Sequence, residues 1–271
     1  MVGYKDITEA IYKYGLSGKN ICVHSSLKSF GGLEGGQQMI IDAFIEKDCT
    51  LMVPTFTYMY AVPPLEHLRP EQNGLDYSKP EENHIAPKEN YSVNSVIISV
   101  EYMGILPETV LKDKSRIRGN HPLNSFSAIG KNAYELIKGQ TPLDVYYPLE
   151  KLVNEDGFVI LMGVDYDSMT LIHLAEKKAG RNLFKRWAKD NNGNTIMVDV
   201  GSCSDGFTNF SKYFKKIVKE VTVGKSLWKI LNAREALTMA TKIIEDNPDI
   251  TRCKNNCERC RDAIKGGPKL N

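Results

Sequence analysis

Short apolar runs alternate with segments of helical spacing along most of the chain. Three runs predict buried strands, at residues 20–24, 50–58 and 157–162, with Pro54 ending the regular ladder of the second. Apolar positions three and four apart predict helices at 5–15, 39–44, 94–111, 130–138, 148–154, 171–176, 207–219 and 233–246. Strands followed by helices predict an α/β protein with helices on both faces of a central sheet, an αβα sandwich.

The later part of the chain predicts a hairpin. Asn191-Asn192-Gly193 is a tight-turn sequence between apolar runs at 184–189 and 195–200, and another short strand is predicted near 228–231. Because hairpin strands are antiparallel, we expect a mixed central sheet. The pattern predicts one domain over residues 1–250, followed by a cysteine-containing tail at 251–271.

The segment 60–92 is rich in proline and shows no clear periodicity. A loop of this length inside a compact domain is usually functional or disordered. We therefore predict a partly ordered lid over a substrate site. Its candidate polar contacts are Asn73, Asp76, Tyr77 and Glu82.

Composition narrows the classes of function. With 271 residues, 42% hydrophobic, 25% charged and a net charge of +2, the chain offers no electrostatic case for binding nucleic acid. No apolar run approaches the ~18–20 residues of a membrane span, and the N-terminus lacks the form of a signal peptide. We therefore expect a cytoplasmic protein without disulfides. Whether it acts alone or as a homodimer is left open.

The strongest chemical signal follows the strand at 157–162. A turn at Gly163 leads through the helix-capping residues Asp167 and Ser168 into a helix that carries His173 and Glu176. Residues three apart share a helix face, so this carboxylate can orient the imidazole and stabilise its protonated form. The pair is a candidate general base at the carboxyl end of a strand, where α/β proteins bind ligands. The alternative is an ordinary surface pair.

Two loops are candidate anion sites. The turn Ser25–Gly36 after the first strand is rich in glycine and serine and could present backbone N–H groups to a phosphate, or could simply be a flexible turn. Neither the Walker nor the dinucleotide-binding pattern is present there. Arg118, His121 and Ser125 lie in a second polar stretch that would suit phosphate oxygens, with a solvated basic loop as the alternative.

Cysteines form one unusual pattern. Cys253, Cys257 and Cys260 fall within eight residues near the C-terminus. The spacing allows a structural zinc site with a fourth ligand from elsewhere, and equally allows free, solvent-exposed thiols on a mobile tail. Cys203 lies in a predicted turn and has no assigned role, whereas Cys22 and Cys49 are predicted to be buried thiols.

Four sequence motifs, in this order, resemble the aminoglycoside 3-N-acetyltransferase family. They are His24-Ser25-Ser26-Leu27, then Pro54-Thr55-Phe56-Thr57, then Arg118 with His121, Pro122 and Ser125, then Gly163 with Thr170, His173 and Glu176. The likeness extends more loosely from about residue 5 to residue 248. It implies the fold of that family, with acetyl-CoA as donor and an aminoglycoside or related aminosugar as acceptor.

The resemblance also implies roles for individual residues. His173 would be the base, and Glu176 its partner, with Asp167 and Glu176 contacting the acceptor. The coenzyme would be held by Ser25, Ser26, Leu27, Lys28, Ser29, Phe30 and Gly31, with Thr55 and Thr57 beside the thioester and Arg118, His121 and Ser125 on the phosphates.

Other functions remain open from the sequence. One alternative is an acetyltransferase for a nucleotide-linked aminosugar in polysaccharide or secondary-metabolite biosynthesis. A second is a metal-dependent hydrolase that uses His173, Glu176 and one of the aspartates as ligands. A third is an aminosugar-binding protein without catalytic activity.

Overall fold

The computed structural model describes residues 1–78 and 89–269, and this part of the chain forms two β-sheets. The larger sheet has seven strands in the order β4-β5-β2-β1-β6-β10-β9. These strands are β1 (Asn20–Ser25), β2 (Thr50–Pro54), β4 (Ile117–Arg118), β5 (Phe126–Ile129), β6 (Phe158–Met162), β9 (Lys219–Val223) and β10 (Ser226–Asn232). The smaller sheet contains β3 (Ala61–Val62), β7 (Phe184–Lys189) and β8 (Thr195–Val200), in the order β3-β7-β8.

The centre of the larger sheet is parallel, and its edges are antiparallel. Strand β1 lies between β2 and β6 and runs parallel to both, with Cys22 opposite Val159. The remaining neighbours in this sheet pair antiparallel. The predicted mixed sheet is therefore confirmed, but the predicted reason for it is wrong. The late hairpin forms where expected and belongs to the smaller sheet, because β7 pairs with β3.

Helices cover both faces of the larger sheet, as an αβα sandwich requires. One face is covered by α1 (Tyr4–Lys13), α2 (Gln38–Glu46) and α4 (Ile105–Lys112), after the short α3 (Val100–Met103). The other is covered by α5 (Ala133–Ile137), α6 (Tyr147–Asn154), α7 (Leu171–Lys178) and α9 (Ala233–Asp246). In β1, Ile21 and Val23 pack on the first face and Cys22 on the second, the alternation that a two-sided strand demands.

The predicted helix at 207–219 is wrong. A 3-10 turn at Phe207–Phe210 is followed by the short α8 (Ser211–Phe214), and β9 begins at Lys219. Phe207, Phe210 and Phe214 are buried at helical spacing, which explains the prediction. Strand pairing with β10 ends the helix, because residues 219–223 form a hairpin with 226–230.

The C-terminal segment packs against the rest of the chain. It contains a 3-10 turn at Pro248–Thr251 and the helix α10 (Glu258–Ile264). The Asn182 N–H donates to the Gly266 carbonyl at 2.8 Å, and the Gly74 N–H donates to the Asp262 carboxylate at 2.8 Å. This segment therefore joins two distant parts of the sequence.

The turns that follow β1 and β6 are in direct contact. The Ser26 N–H donates to the Met162 carbonyl at 2.9 Å, and Ser29 Oγ donates to the Ser26 carbonyl at 2.6 Å. Gly163 adopts φ +67°, and a Cβ placed there would lie 2.0 Å from Ser29 Oγ. Glycine is thus required both for the left-handed backbone and for the close approach of the two turns.

We expect Gly163→Ala to destabilise the protein by about 3 kcal/mol, because it adds a steric clash to the cost of a left-handed alanine. Gly36→Ala is the matched control, since Gly36 has φ +71° and an added Cβ would meet nothing within 4 Å beyond its own chain neighbours. That control isolates the backbone cost of about 1–2 kcal/mol. Urea unfolding of both variants measures the difference, and equal losses would contradict the role assigned to the contact.

Candidate active site

A cavity of about 710 Å³ lies beyond the carboxyl ends of β1, β2 and β6. One wall comes from the ends of these strands and from α7, through Ser25, Pro54, Val164 and His173. The facing wall comes from the smaller sheet, the segment that follows β8 and the C-terminal segment. It includes Arg186, Gly201, Ser202, Cys203, Asp205, Cys257 and Arg259.

His173 lines this cavity and pairs with the buried Glu176. The first turns of α7 place both side chains on one helix face, and His173 Nδ1 lies 2.9 Å from Glu176 Oε2. The side chains are 12% and 4% exposed, so the alternative of a surface pair is wrong. Because an ionised carboxylate only accepts hydrogen bonds, His173 donates from Nδ1–H and keeps Nε2 for a molecule in the cavity.

The Glu176 carboxylate has partners on both oxygens. Ser202 Oγ donates to Oε2 at 2.6 Å, and Arg181 Nη1 donates to Oε1 at 2.7 Å. Burial by itself raises the pKa of Glu176. The hydrogen bond and charge of His173, the charge of Arg181 and the hydrogen bond of Ser202 together outweigh burial and hold that pKa below its usual value. Glu176 therefore stays ionised. The prediction that it also contacts the acceptor is wrong, because Glu176 does not line the cavity.

Aromatic groups fix the plane of the His173 ring. Tyr146 is parallel to it, at an interplanar angle of 5° and a centroid distance of 6.3 Å. Phe207 meets it edge-on at 4.7 Å. A Cβ at Gly201 would lie 2.8 Å from the ring, so only glycine fits there without a shift. The imidazole is thus held in one orientation before any ligand binds.

The turn after β1 contributes less of its surface to the cavity than expected. Residues Leu27–Phe30 form a 3-10 helix, and of the predicted coenzyme contacts at 25–31 the cavity wall includes Ser25. Ser29 is bound to Ser26 and Ser226, and Phe30 is buried against Trp228. Ser29 and Phe30 are therefore structural, whereas Lys28 and Gly31 are exposed beside the turn.

The prediction that Arg118, His121 and Ser125 hold coenzyme phosphates is wrong. All three are buried, and none of them lines the cavity. The Arg118 guanidinium donates to Ser125 Oγ and to the carbonyls of Ser95, Thr55 and Ile97, which uses it in building the protein interior. Burial of these three residues excludes both alternatives, the phosphate site and the solvated basic loop.

Thr55 and Thr57 are also wrongly assigned to the thioester wall. Thr55 Oγ1 donates to the Ser125 carbonyl at 3.0 Å, and Thr57 Oγ1 donates to the Pro122 carbonyl at 2.7 Å. Side chains alternate along an extended chain, so Pro54, Phe56 and Tyr58 line the cavity while the two threonines point away from it.

His121 is a buried structural residue. Its Nδ1 accepts from the N–H groups of Leu123 and Asn124, so Nε2 carries the proton and donates to the Asp199 carbonyl at 2.8 Å. Burial lowers the pKa of His121 to about 4, although the hydrogen bond to the Asp199 carbonyl acts in the opposite direction. The neutral ring holds the segment that presents Leu123 and Asn124 to the cavity.

Residues 73–77, part of the predicted lid, reach the cavity wall at Leu75. Asn73 is buried and bonded to the backbone of Lys185, and Tyr77 contacts Asn73. Of these described residues the cavity wall includes Leu75 but not Asn73, Asp76 or Tyr77, so the predicted acceptor contacts at those three positions are wrong. Glu82 lies outside the described residues. Asp167, in contrast, is exposed on the cavity wall.

Sequence reasoning missed several residues of the site. Tyr146, Arg181, Ser202, Asp205 and Arg259 all contribute to the cavity or to the Glu176 network. The Gly201-Ser202-Cys203-Ser204-Asp205 stretch carried a usable signal, because a polar, glycine-containing turn directly follows a predicted strand. Arg181 carried none, since its partner Glu176 becomes buried only in the folded chain.

The cysteines also meet at this cavity. The Sγ atoms of Cys203, Cys253, Cys257 and Cys260 lie within 4.8 Å of one another. Cys203, Cys253 and Cys260 are buried, so the alternative of exposed thiols on a mobile tail is wrong. Within residues 1–78 and 89–269, this is the one group of three or more potential metal ligands, which gives the metal-dependent hydrolase hypothesis no ligand set at His173.

Comparison with known proteins identifies relatives. The family model described as aminoglycoside 3-N-acetyltransferase matches residues 22–245. The chain is 32% identical over 180 residues to the SPbeta prophage-derived aminoglycoside N(3')-acetyltransferase-like protein YokD of Bacillus subtilis, covering 64% of each protein. It is 31% identical over 172 residues to aminoglycoside N(3)-acetyltransferase IX of Micromonospora chalcea, covering 60% of this chain and 57% of the relative. The matches thus span less than two thirds of these relatives.

Solved structures share the fold. YokD from Bacillus subtilis superposes with a TM-score of 0.75 at 24% identity, covering 90% of this chain and 99% of that one. A mutant of aminoglycoside acetyltransferase AAC(3)-IVa in complex with gentamicin gives 0.76 at 22% identity, covering 98% and 97%. AAC-IIIb with CoASH gives 0.69 at 19% identity, covering 90% and 96%. In the part of the chain that is described, no helix has the length and apolar character needed to cross a membrane.

The buried His121 predicts an acid-sensitive contribution to stability. Its folded-state pKa of about 4 lies below the ordinary 6.5, so as pH falls the unfolded chain takes up the proton first and stability is lost between these values. Between pH 7 and pH 5, we expect the free energy of unfolding of His121→Gln to fall by about 2 kcal/mol less than that of the native protein. Urea unfolding at both pH values measures this difference. Exposed His67→Gln serves as control, and a native-like pH dependence in His121→Gln would contradict the assignment.

Proposed function

Because its family model matches residues 22–245, the chain belongs to the aminoglycoside 3-N-acetyltransferase family, and we propose that it transfers an acetyl group from acetyl-CoA to an amine of an aminoglycoside or related aminosugar. The observation that carries this proposal is the contact of 2.9 Å between His173, in the wall of a cavity at the strand ends, and the buried carboxylate of Glu176. Solved fold neighbours with gentamicin and with CoASH support the choice of acceptor and donor.

In this proposal His173 is the general base. An aminosugar amine is mostly protonated at neutral pH and attacks only after losing a proton. That proton passes to solvent, and Nε2 of His173 accepts a second proton from the nitrogen as the neutral amine bonds to the thioester carbonyl carbon. The C–S bond then breaks, and the coenzyme leaves as a thiol after taking up a proton. General-base assistance of this kind contributes about 10²–10⁴-fold.

Glu176 acts through His173. As an ionised carboxylate on Nδ1–H, it selects the tautomer with a free Nε2 and stabilises the imidazolium that forms during the reaction. Arg181 and Ser202 hold the carboxylate in place. It is therefore a positioning residue and does not touch the acceptor.

We place the coenzyme against the turn after β1. Ser25 lies on the cavity wall, and exposed Lys28 follows it in the same turn. A Cβ at Gly31 would lie 2.8 Å from Lys225 Cδ, so a second lysine borders the same turn. These two ammonium groups supply the positive charge for the diphosphate that Arg118 cannot supply.

We expect His173→Ala to lower kcat by about 10²–10⁴-fold while leaving the KM for acetyl-CoA within about twofold, because the ring moves a proton and does not hold the coenzyme. Thiol release from acetyl-CoA with a 2-deoxystreptamine aminoglycoside as acceptor measures both constants. His67→Ala is the control, because this histidine is exposed and does not line the cavity. Native turnover in His173→Ala would remove this residue from the mechanism.

Thiol release also tests the function itself. Protein that binds CoA but acetylates no amine in a broad acceptor panel would support only a binding role, the non-enzymatic alternative. Turnover with a polycationic aminoglycoside supports the proposal directly.

The charges on the cavity wall favour a second candidate acceptor. Among residues 1–78 and 89–269, the charged side chains on this wall, apart from histidines, are two aspartates, Asp167 and Asp205, and two arginines, Arg186 and Arg259. A polycationic acceptor gains from the aspartates but is repelled by the arginines. An aminosugar that carries a phosphate, such as a nucleotide-linked sugar, matches both signs.

An acceptor comparison with Asp167→Asn separates the two candidates. If the acceptor is polycationic, losing a charge-assisted hydrogen bond should raise its KM about tenfold. If it is a nucleotide-linked aminosugar, we expect the native enzyme to give the higher kcat/KM with that substrate. Asp246→Asn, on the exposed end of α9, is the matched control. An unchanged KM for the preferred acceptor would exclude Asp167 from acceptor binding.

A further inference from the structure

Four cysteines that are distant in sequence share one site. Cys203 follows β8, whereas Cys253, Cys257 and Cys260 come from the C-terminal segment, fifty or more residues later. Their Sγ atoms lie within 4.8 Å of one another, and three of the four residues are buried. Acetyl transfer from a thioester uses none of these thiols. Packing alone does not require four sulfur atoms to meet at one point.

The geometry is that of a tetrathiolate metal site. In a regular tetrahedron with zinc–sulfur bonds of ~2.3 Å, sulfur atoms lie about 3.8 Å apart, so a shift of about 1 Å or less would complete the site. Backbone N–H groups already point at two of the sulfurs. Cys253 N lies 3.3 Å from Cys260 Sγ, and Cys257 N lies 3.4 Å from Cys253 Sγ. Such N–H groups stabilise thiolate ligands as outer-shell partners do in other metal sites.

We propose that Cys203, Cys253, Cys257 and Cys260 bind one zinc ion, which holds the segment 201–205 where Ser202 orients Glu176. A closed set of four thiolates makes the site structural, without an open position for a substrate. On binding, the four thiols give up their protons to solvent, and no change of oxidation state is involved. The positioning half of this inference rests on the proposed function, whereas the metal site does not.

Short contacts connect the cysteines to the His173–Glu176 pair. Ser202, the neighbour of Cys203, donates to Glu176 Oε2 at 2.6 Å. Gly201 packs against the His173 ring. On the other side of the cluster, Arg259 of α10 donates to the carbonyls of Gly201 and Ser202. Zinc binding thus holds the segment 201–205 in two ways, directly through Cys203 and indirectly through Arg259 of the C-terminal segment.

Metal content tests the site without any assay of turnover. We expect the full chain, purified without chelators, to contain about one zinc per molecule by plasma emission spectrometry. Cys203→Ser and Cys257→Ser should each retain less than about a fifth of an equivalent, and cobalt(II) added to stripped native protein should give a thiolate-to-cobalt absorption band. Cys49→Ala, at a buried cysteine outside the cluster, is the matched control and should keep its zinc.

Two results would overturn the metal site. One is native protein with neither zinc nor a cobalt band. The other is a mass under non-reducing conditions that shows the four cysteines paired as disulfides. Because Cys257 is the least buried of the four, its serine variant remains informative if Cys203→Ser does not fold.

The positioning role has its own readouts. Stripping zinc with a chelator should speed hydrogen exchange of the 201–205 amides, which needs no turnover. In active protein it should lower kcat about tenfold at unchanged KM for acetyl-CoA, with the same change in pH–rate profile as Ser202→Ala. Ser202→Ala should keep its zinc. Folded, zinc-free protein with native exchange rates and a native profile would overturn the positioning role, while absent turnover with intact zinc would count only against the proposed acetyl transfer.

Discussion

The buried carboxylate of Glu176 is the constraint on which the site depends. A charge with this little exposure is tolerated only when each oxygen is paired, since removing one partner leaves a desolvated charge at a cost of several kcal/mol. Its partners come from three places: His173 on its own helix, Arg181 just beyond that helix, and Ser202 after β8. Arg181 is held in turn by Thr251 and by the Pro248 carbonyl. The imidazole is therefore oriented by both sheets and by the C-terminal segment.

A second polar cluster supports the site without entering it. Arg118, Thr55 and Ser125 bind one another and nearby carbonyls, and the Arg118 guanidinium also lies 5.1 Å from the centre of the Tyr91 ring. Burial lowers the pKa of Arg118, yet the hydrogen bonds keep the group useful as a charged crosslink. The residues of the family motifs thus divide into two sets. His173 and Ser25 face the cavity, whereas Arg118, Thr55 and Ser125 hold the backbone that shapes the cavity.

How far the sequence predicts this arrangement depends on whether the signal is local. The hairpin at 184–200, the helix Ala233–Asp246 and the strand–turn–helix around Gly163 were predicted because spacing and turn residues specify them directly. The predicted helix caps Asp167 and Ser168 are wrong, because both lie in a 3-10 turn and the N-cap of α7 is Thr170. The sheet to which the hairpin belongs was not predicted, because local sequence does not identify the strand with which another strand pairs. The direction of Thr55 was missed for a related reason. A shift of one residue along an extended chain turns every side chain to the opposite face. The sequence of a motif does not show which of its side chains face the cavity.

The two walls of the cavity have different origins, and this affects how the protein could change. The wall with His173 and Ser25 is built by the parallel strands β1, β2 and β6, whose turns touch through the Ser26 N–H and Gly163. The facing wall is built by the smaller sheet, the segment 201–205 and the C-terminal segment, and it carries Asp205, Arg186 and Arg259. Substitutions on the facing wall can alter its charge without moving the strand ends. Ser202 sets the limit, because it lies on the facing wall and donates a hydrogen bond to Glu176, so changes there must preserve that bond for the His173 ring to remain oriented.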